Sequence, residues 1–131
     1  MEVKYNESTQ NRPWGERPLD APMVPIDLAA YIQQINMEEA WQKNDRNAIT
    51  VFKSETFRIV LVGLHKDAKM ESHLAEGVIS VQVLEGKIKF STERESVALG
   101  PRQMVVLHER ILHSVTAEEE SFFLLSIAIE K

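Results

Sequence analysis

The chain is 131 residues long, enough for one domain with a sizeable core and too short for two. Hydrophobic residues make up 44% and charged residues 27% of it, and the formal net charge of −5 is spread as −3 over residues 1–48 and −2 over residues 49–131. No basic face follows from that spread, which argues against a nucleic acid or an anionic membrane as partner. There is no cysteine, so disulfide scaffolds, thiolate metal sites, thiol catalysis and iron–sulfur clusters are excluded. No run of 18 apolar residues occurs, and MEVKYNESTQ has no apolar signal-peptide core. The expectation is a soluble, cytoplasmic protein.

Four of the five prolines fall between Pro13 and Pro25. Asn11–Pro25 therefore reads as extended chain without a regular element, wrapping over a surface with Trp14 and Met23 as apolar anchors. Asp27 suits a helix N-cap, and Leu28, Tyr31, Ile32 and Ile35 follow as one apolar stripe of a short helix. Asn36 and Glu39 have capping-box spacing, with Met37, Ala40 and Trp41 as the apolar face of a further turn or two. The polar segment QKNDRN, Gln42–Asn47, ends the helical part.

From Ala48 onward the period is that of strands. Phe57, Ile59 and Leu61 alternate with Arg58, Val60 and Val62, and both faces are mostly apolar past Arg58, as in a sheet covered on both sides. VISVQVL (Val78–Leu84) and KIKF (Lys87–Phe90) flank Glu85-Gly86, a hairpin signal. Further runs are Val97–Leu99, Met104–Leu107, Ser114–Ala117 and Phe122–Ile129. Seven or eight short strands at this spacing predict an all-β sandwich or barrel. The expected organisation is an N-terminal arm with short helices over residues 1–47, packed on a β-barrel over 48–131.

His65, His73, His108 and His113 all lie in the β-rich half, and histidine is the only good nitrogen ligand for a transition metal in this chain. His73 precedes GVISVQVLEG; His113 ends LGPRQMVVLHERILH. Over about residues 57–128 the chain resembles the cupin superfamily, small jelly-roll barrels with two spaced motifs. KMESHLAEGVISVQVLEGKIKF (Lys69–Phe90) matches the first and LGPRQMVVLHERILHSVTA (Leu99–Ala117) the second. The resemblance implies a jelly-roll barrel with one open mouth, and in the family the motifs supply three histidines and a glutamate to a metal. Here only His73 and His113 match. Ile79 stands at the glutamate position and Glu71 at that of the partner histidine. Glu71, His73 and His113 would together make a set of two histidines and one carboxylate for a divalent metal, iron, manganese, nickel or zinc. The competing reading is a pocket without metal, lined by the same two histidines.

Gln82 is polar inside an apolar strand. Assigning its face to the cavity makes it a ligand contact. Met104 and Met70 are candidates for apolar cavity lining, with ordinary core packing as the alternative. His108 belongs to the turn before His113, and His65 continues the Phe57–Ile59–Leu61 face. GxSxG, GxxxxGK[ST] and GxGxxG are all absent, which removes serine-hydrolase, P-loop and dinucleotide-fold readings. Three functions remain in view: a small-molecule binder with the metal optional, a metal-dependent oxygenase or isomerase using Glu71, His73 and His113, and an interaction protein whose arm docks on a partner barrel through Trp14, Met23 and Trp41. A homodimer is expected from the cupin resemblance and from the extended arm.

Overall fold

The computed structural model describes residues 3–6 and 17–129. In chain order the elements are strands β1 (Lys4–Asn6) and β2 (Arg17–Asp20), helices α1 (Leu28–Met37) and α2 (Glu39–Lys43), and strands β3 (Arg46–Lys53), β4 (Phe57–Leu64), β5 (Lys69–His73), β6 (Ile79–Glu85), β7 (Ile88–Thr92), β8 (Ser96–Leu99), β9 (Met104–Leu107), β10 (His113–Ala117) and β11 (Ser121–Ala128). Among the described residues no helix is long and apolar enough to cross a membrane.

Two antiparallel sheets face each other, one ordered β3-β4-β11-β6-β9 and the other β5-β10-β7-β8. Their inner faces make the main core. Val62, Leu64, Ile79, Val81, Val83 and Phe123 come from the first sheet, and Ile88, Phe90, Leu99, Val115 and Ala117 from the second. Glu85-Gly86 is not a hairpin. β6 and β7 belong to different sheets, so this turn carries the chain around the corner between them. Gly86 has φ +89°, and a Cβ there would run into the Glu120 carbonyl oxygen, so only glycine passes. The hairpin of this region is β7–β8, with Ser91 opposite Ser96.

A second core lies on the outer face of the first sheet. Ile49, Val51, Leu61 and Phe122 are buried there under Ile35 of α1 and Trp41 of α2. β4 is thus covered on both sides, Leu61 by the helices and Val62 by the barrel interior, which explains its apolar run. α1 starts as its sequence dictates: the Asp27 carboxylate accepts from the Ala30 N–H at 3.1 Å. The capping box at Asn36 does not form. Asn36 Nδ2 donates back to the Ile32 carbonyl at 3.1 Å, and α2 is capped at Glu38 without a side-chain bond. On α2 the apolar face reduces to Trp41, since Met37 and Ala40 are exposed. The Trp41 ring stacks on His65 with centroids 3.6 Å apart. His65 Nε2 lies 2.8 Å from the Trp41 carbonyl oxygen and Nδ1 lies 3.1 Å from a Glu120 carboxylate oxygen. His65 therefore clips α2 to the barrel, far in role from a pocket.

The arm departs from expectation in one place. Arg17–Asp20 is a strand, paired with Lys4–Asn6, although it contains Pro18. A two-stranded ribbon tolerates the missing N–H, and the Arg17 guanidinium, donating to the Thr50 carbonyl at 3.2 Å from Nε, ties it to β3. Met23 is 84% exposed, so among the described residues it is not a buried anchor. Trp14 lies outside the described residues.

Candidate functional site

The open end of the barrel is framed by β5, β10 and the ends of β4, β6 and β11. β5 and β10 pair with His73 opposite His113 and Met70 opposite Val115. Three steps along β5 thus match two along β10, so β5 carries a bulge at Glu71–Ser72. The bulge decides the site. Met70 packs against the barrel core. Strict alternation from Met70 would turn His73 outward; the extra residue returns it to the inner face beside His113. Glu71 stays on the outer face. Its side chain is 81% exposed and pairs with Lys69 Nζ at 3.7 Å.

His113 is 4% exposed and His73 is exposed at the mouth. Their ring centroids are 4.3 Å apart, and Phe90 stacks on the other side of His113 at 5.5 Å. Each Nδ1 faces the backbone carbonyl two residues earlier, Glu71 O at 2.8 Å and Ile111 O at 2.9 Å. A carbonyl only accepts, so in both rings Nδ1 carries the hydrogen and the neutral ring keeps its lone pair on Nε2. The sequence places two similarly fixed proton acceptors side by side.

These rings line a cavity of about 320 Å³ whose walls include Ile79, Leu125 and Ile127, with Leu74 and Ala75 from the loop after β5. That size is at the lower end of small-molecule pockets, roughly 300–1,000 Å³. A wider depression of about 670 Å³ lies on the other side of Leu74, among Thr92–Glu95, Leu107 and Arg110–Leu112. It contains neither histidine, and Glu93, Arg94, Glu95 and Arg110 give it charges of both signs. The convergent polar groups are in the smaller cavity.

That cavity holds a residue the sequence analysis did not single out. Arg58 is in phase with Val60, which packs against the barrel core, and it pairs with Ile127, another inward residue. It therefore points into the barrel mouth and lines the cavity. Its Nε is buried and has no hydrogen-bond partner among the described residues. Its signal in the sequence was an arginine in register with Val60 and Val62.

The remaining assignments change with the sheet parity. On β6 the inward residues are Ile79, Val81 and Val83, so Gln82 faces outward with Leu84, which packs in the second core. Gln82 is not a cavity residue. Met104 pairs with Gln82 on the outer face of β9 and is 50% exposed, so it does not line the cavity either. Met70 is core. His108 is exposed and outside the cavity lining. The three-ligand set is also not assembled. Glu71 is on the far face of β5 from His73 and His113, and Ile79 offers no donor. Among the described residues no group of three metal-ligating side chains converges. Two imidazoles alone do not fit the three-ligand transition-metal site expected of a resident ion.

Burial holds the His113 imidazole below the usual histidine range, with His73 pushing the same way and the Ile111 carbonyl opposing. Unfolded chain takes up this proton near the ordinary value of about 6.5. The contribution of neutral His113 to stability is therefore complete above about that pH and is lost as pH falls through it toward the depressed folded value. Melting curves between about pH 7.5 and pH 5.5 are expected to fall more steeply for the wild type than for His113→Asn, which keeps a donor for Ile111. His73, Arg58 and Glu76 face the same cavity and are common to both proteins. Parallel slopes would remove His113 as the source.

No protein-family model matches the chain, and no curated protein does. Solved structures do. A cupin superfamily protein from Desulfitobacterium hafniense aligns with TM-score 0.69 at 16% identity, over 86% of this chain and 95% of that one. The TT1209 protein from Thermus thermophilus aligns with TM-score 0.67 at 23% identity, over 81% and 97%. A cupin-2 domain protein from Shewanella frigidimarina aligns with TM-score 0.64 at 14% identity, over 79% and 94%. At such identities the likeness is one of fold.

Proposed function

We propose that this chain, which has the cupin-type fold, binds a small molecule in the barrel mouth and does so without a metal. The observation that carries the reading is the His73–His113 pair. Two imidazoles have their Nδ1 hydrogens committed to backbone carbonyls, and so keep two Nε2 acceptors at an apolar cavity of about 320 Å³. Such a mouth of hydrophobic walls with a few oriented polar groups is the usual form of a ligand pocket. The bulge at Glu71–Ser72 supports it further, because a bulge beside a site re-aims a side chain. The metal-dependent oxygenase or isomerase reading lacks its carboxylate, since Glu71 points away.

The test is a screen of small neutral and charged compounds by thermal shift and isothermal titration, before and after dialysis against a chelator. Binding is expected to survive the chelator, to weaken at least about tenfold in His113→Asn through loss of the Nε2 contact, and to be unchanged in His108→Asn. Loss of binding with the metal would reverse the reading.

A further inference from the structure

We propose that the ligand of this pocket is a small carboxylate with an apolar body, clamped by Arg58. The inference rests on the reading above that the barrel mouth is a ligand site, and it adds the charge of what enters. Arg58 is a guanidinium held on the inner face of β4, against Ile127 on β11, where the neighbouring inward residues are apolar. The guanidinium carries a fixed positive charge; the residue is half-buried at the mouth, and Nε is its enclosed nitrogen. An N–H shut away from water without an acceptor is costly, and a fold normally supplies one. Among the described residues none does so for Arg58 Nε. Nε is enclosed and unbonded, and no carboxylate lies within 4.0 Å of the Arg58 nitrogens among the described residues.

Glu76 also lines the cavity, but its carboxylate turns to Arg110 at 3.8 Å and is largely exposed. It leaves Arg58 uncompensated. An incoming anion completes the set. The planar fork of a guanidinium matches a carboxylate with two parallel N–H···O bonds. The walls of Ile79, Leu125, Ile127 and Leu74 then require an apolar remainder, which inorganic phosphate lacks. The Nε2 acceptors of His73 and His113 suit a hydroxyl or N–H on that remainder.

The probes are benzoate and 4-methylpentanoate, each beside its primary amide, and inorganic phosphate. Isothermal titration of the full chain is expected to detect the carboxylates and to show the amides and phosphate at least about tenfold weaker. Arg58→Gln is expected to reduce carboxylate affinity about tenfold to a hundredfold and to abolish the preference over the amide. Arg58→Lys restores part of the affinity, because it keeps charge and loses the fork. A second readout separates this role from a structural one. With no partner to lose, ligand-free Arg58→Met is expected to melt at or above the wild-type temperature. A lower melting temperature in Arg58→Met would make Arg58 a structural residue and overturn the proposal. Equal binding of acid and amide overturns the anion and leaves the pocket standing. Phosphate binding as well as benzoate does overturns the apolar remainder. Carboxylate binding untouched by Arg58→Gln places the anion elsewhere. If neither acid nor amide binds, the pocket reading falls with the proposal.

Discussion

Trp41→Ala is expected to remove about 3–5 kcal/mol of unfolding free energy, the range for truncating a buried large aromatic. Trp41 is the residue that joins the helical segment to the barrel. It is 4% exposed, stacks on His65 and tilts onto Phe122 at 5.4 Å. The seat is made by Gly63. A Cβ there would come within 2.8 Å of Phe122 and 3.1 Å of Trp41, so the missing side chain is what lets both rings approach β4. Alanine would leave a hole that α2, a helix of five residues, has no side chain to fill. Urea unfolding would show the loss directly. A double-mutant cycle with His65→Ala would show non-additivity, because the two rings share a stack and the Trp41 carbonyl binds the imidazole. A loss below about 1 kcal/mol, the size of an ordinary substitution, would mean that α2 rides on the sheet without supporting it.

Gly77→Ala is expected to cost about 3 kcal/mol, the upper part of the range for forcing atoms into occupied space. A Cβ on Gly77 would overlap the carbonyl oxygen of Ala128 and lie 2.7 Å from its carbon. Both are backbone atoms, so no rotamer change relieves the clash. The pair is fastened next door, where the Ala128 N–H donates to the Val78 carbonyl at 2.9 Å. Gly77 and Ala128 both line the His73–His113 cavity, so the same methyl group would push the loop after β5 off β11 and spread the mouth. Gly100→Ala is the control. A Cβ there meets only Gln103 Oε1 at 3.8 Å, and the change is expected to stay within about 0.5 kcal/mol. Melting temperature and carboxylate affinity should fall together in Gly77→Ala and in neither respect for Gly100→Ala. Wild-type stability in Gly77→Ala would show that the loop is free to move away from β11.

Period-two alternation and turn residues carried the barrel. Phe57–Leu64 announced a strand covered on both sides, and both coverings exist, helices over Leu61 and barrel core over Val62. Asp27 and the stripe ending at Ile35 announced α1. What alternation does not contain is the identity of the inner face. Along β6 alternation puts Ile79, Val81 and Val83 on one face and Ser80, Gln82 and Leu84 on the other, and assigning the polar Gln82 to the cavity chose the wrong face. Gln82 lies beside the exposed Met104 on the outer face and is only half-buried, so its amide keeps access to water and needs no partner in the interior. The same ambiguity moved Met104 to the wrong side.

A cysteine-free β protein, the start of α1 at Asp27, and His73 and His113 as the histidines to watch were all readable from the sequence. Those features are local: composition, period, turn chemistry and spacing within a motif. The tertiary structure decided which of them share a site. One extra residue in β5 inverts the facing of everything after it, bringing His73 to His113 and leaving Glu71 outside, where no three-ligand set can close. Arg58 becomes a pocket residue only because β4 lies against β11 with Arg58 opposite Ile127, 69 positions later in the chain. Register between distant strands is set by the packing of the whole sheet, and no window of neighbouring residues contains it.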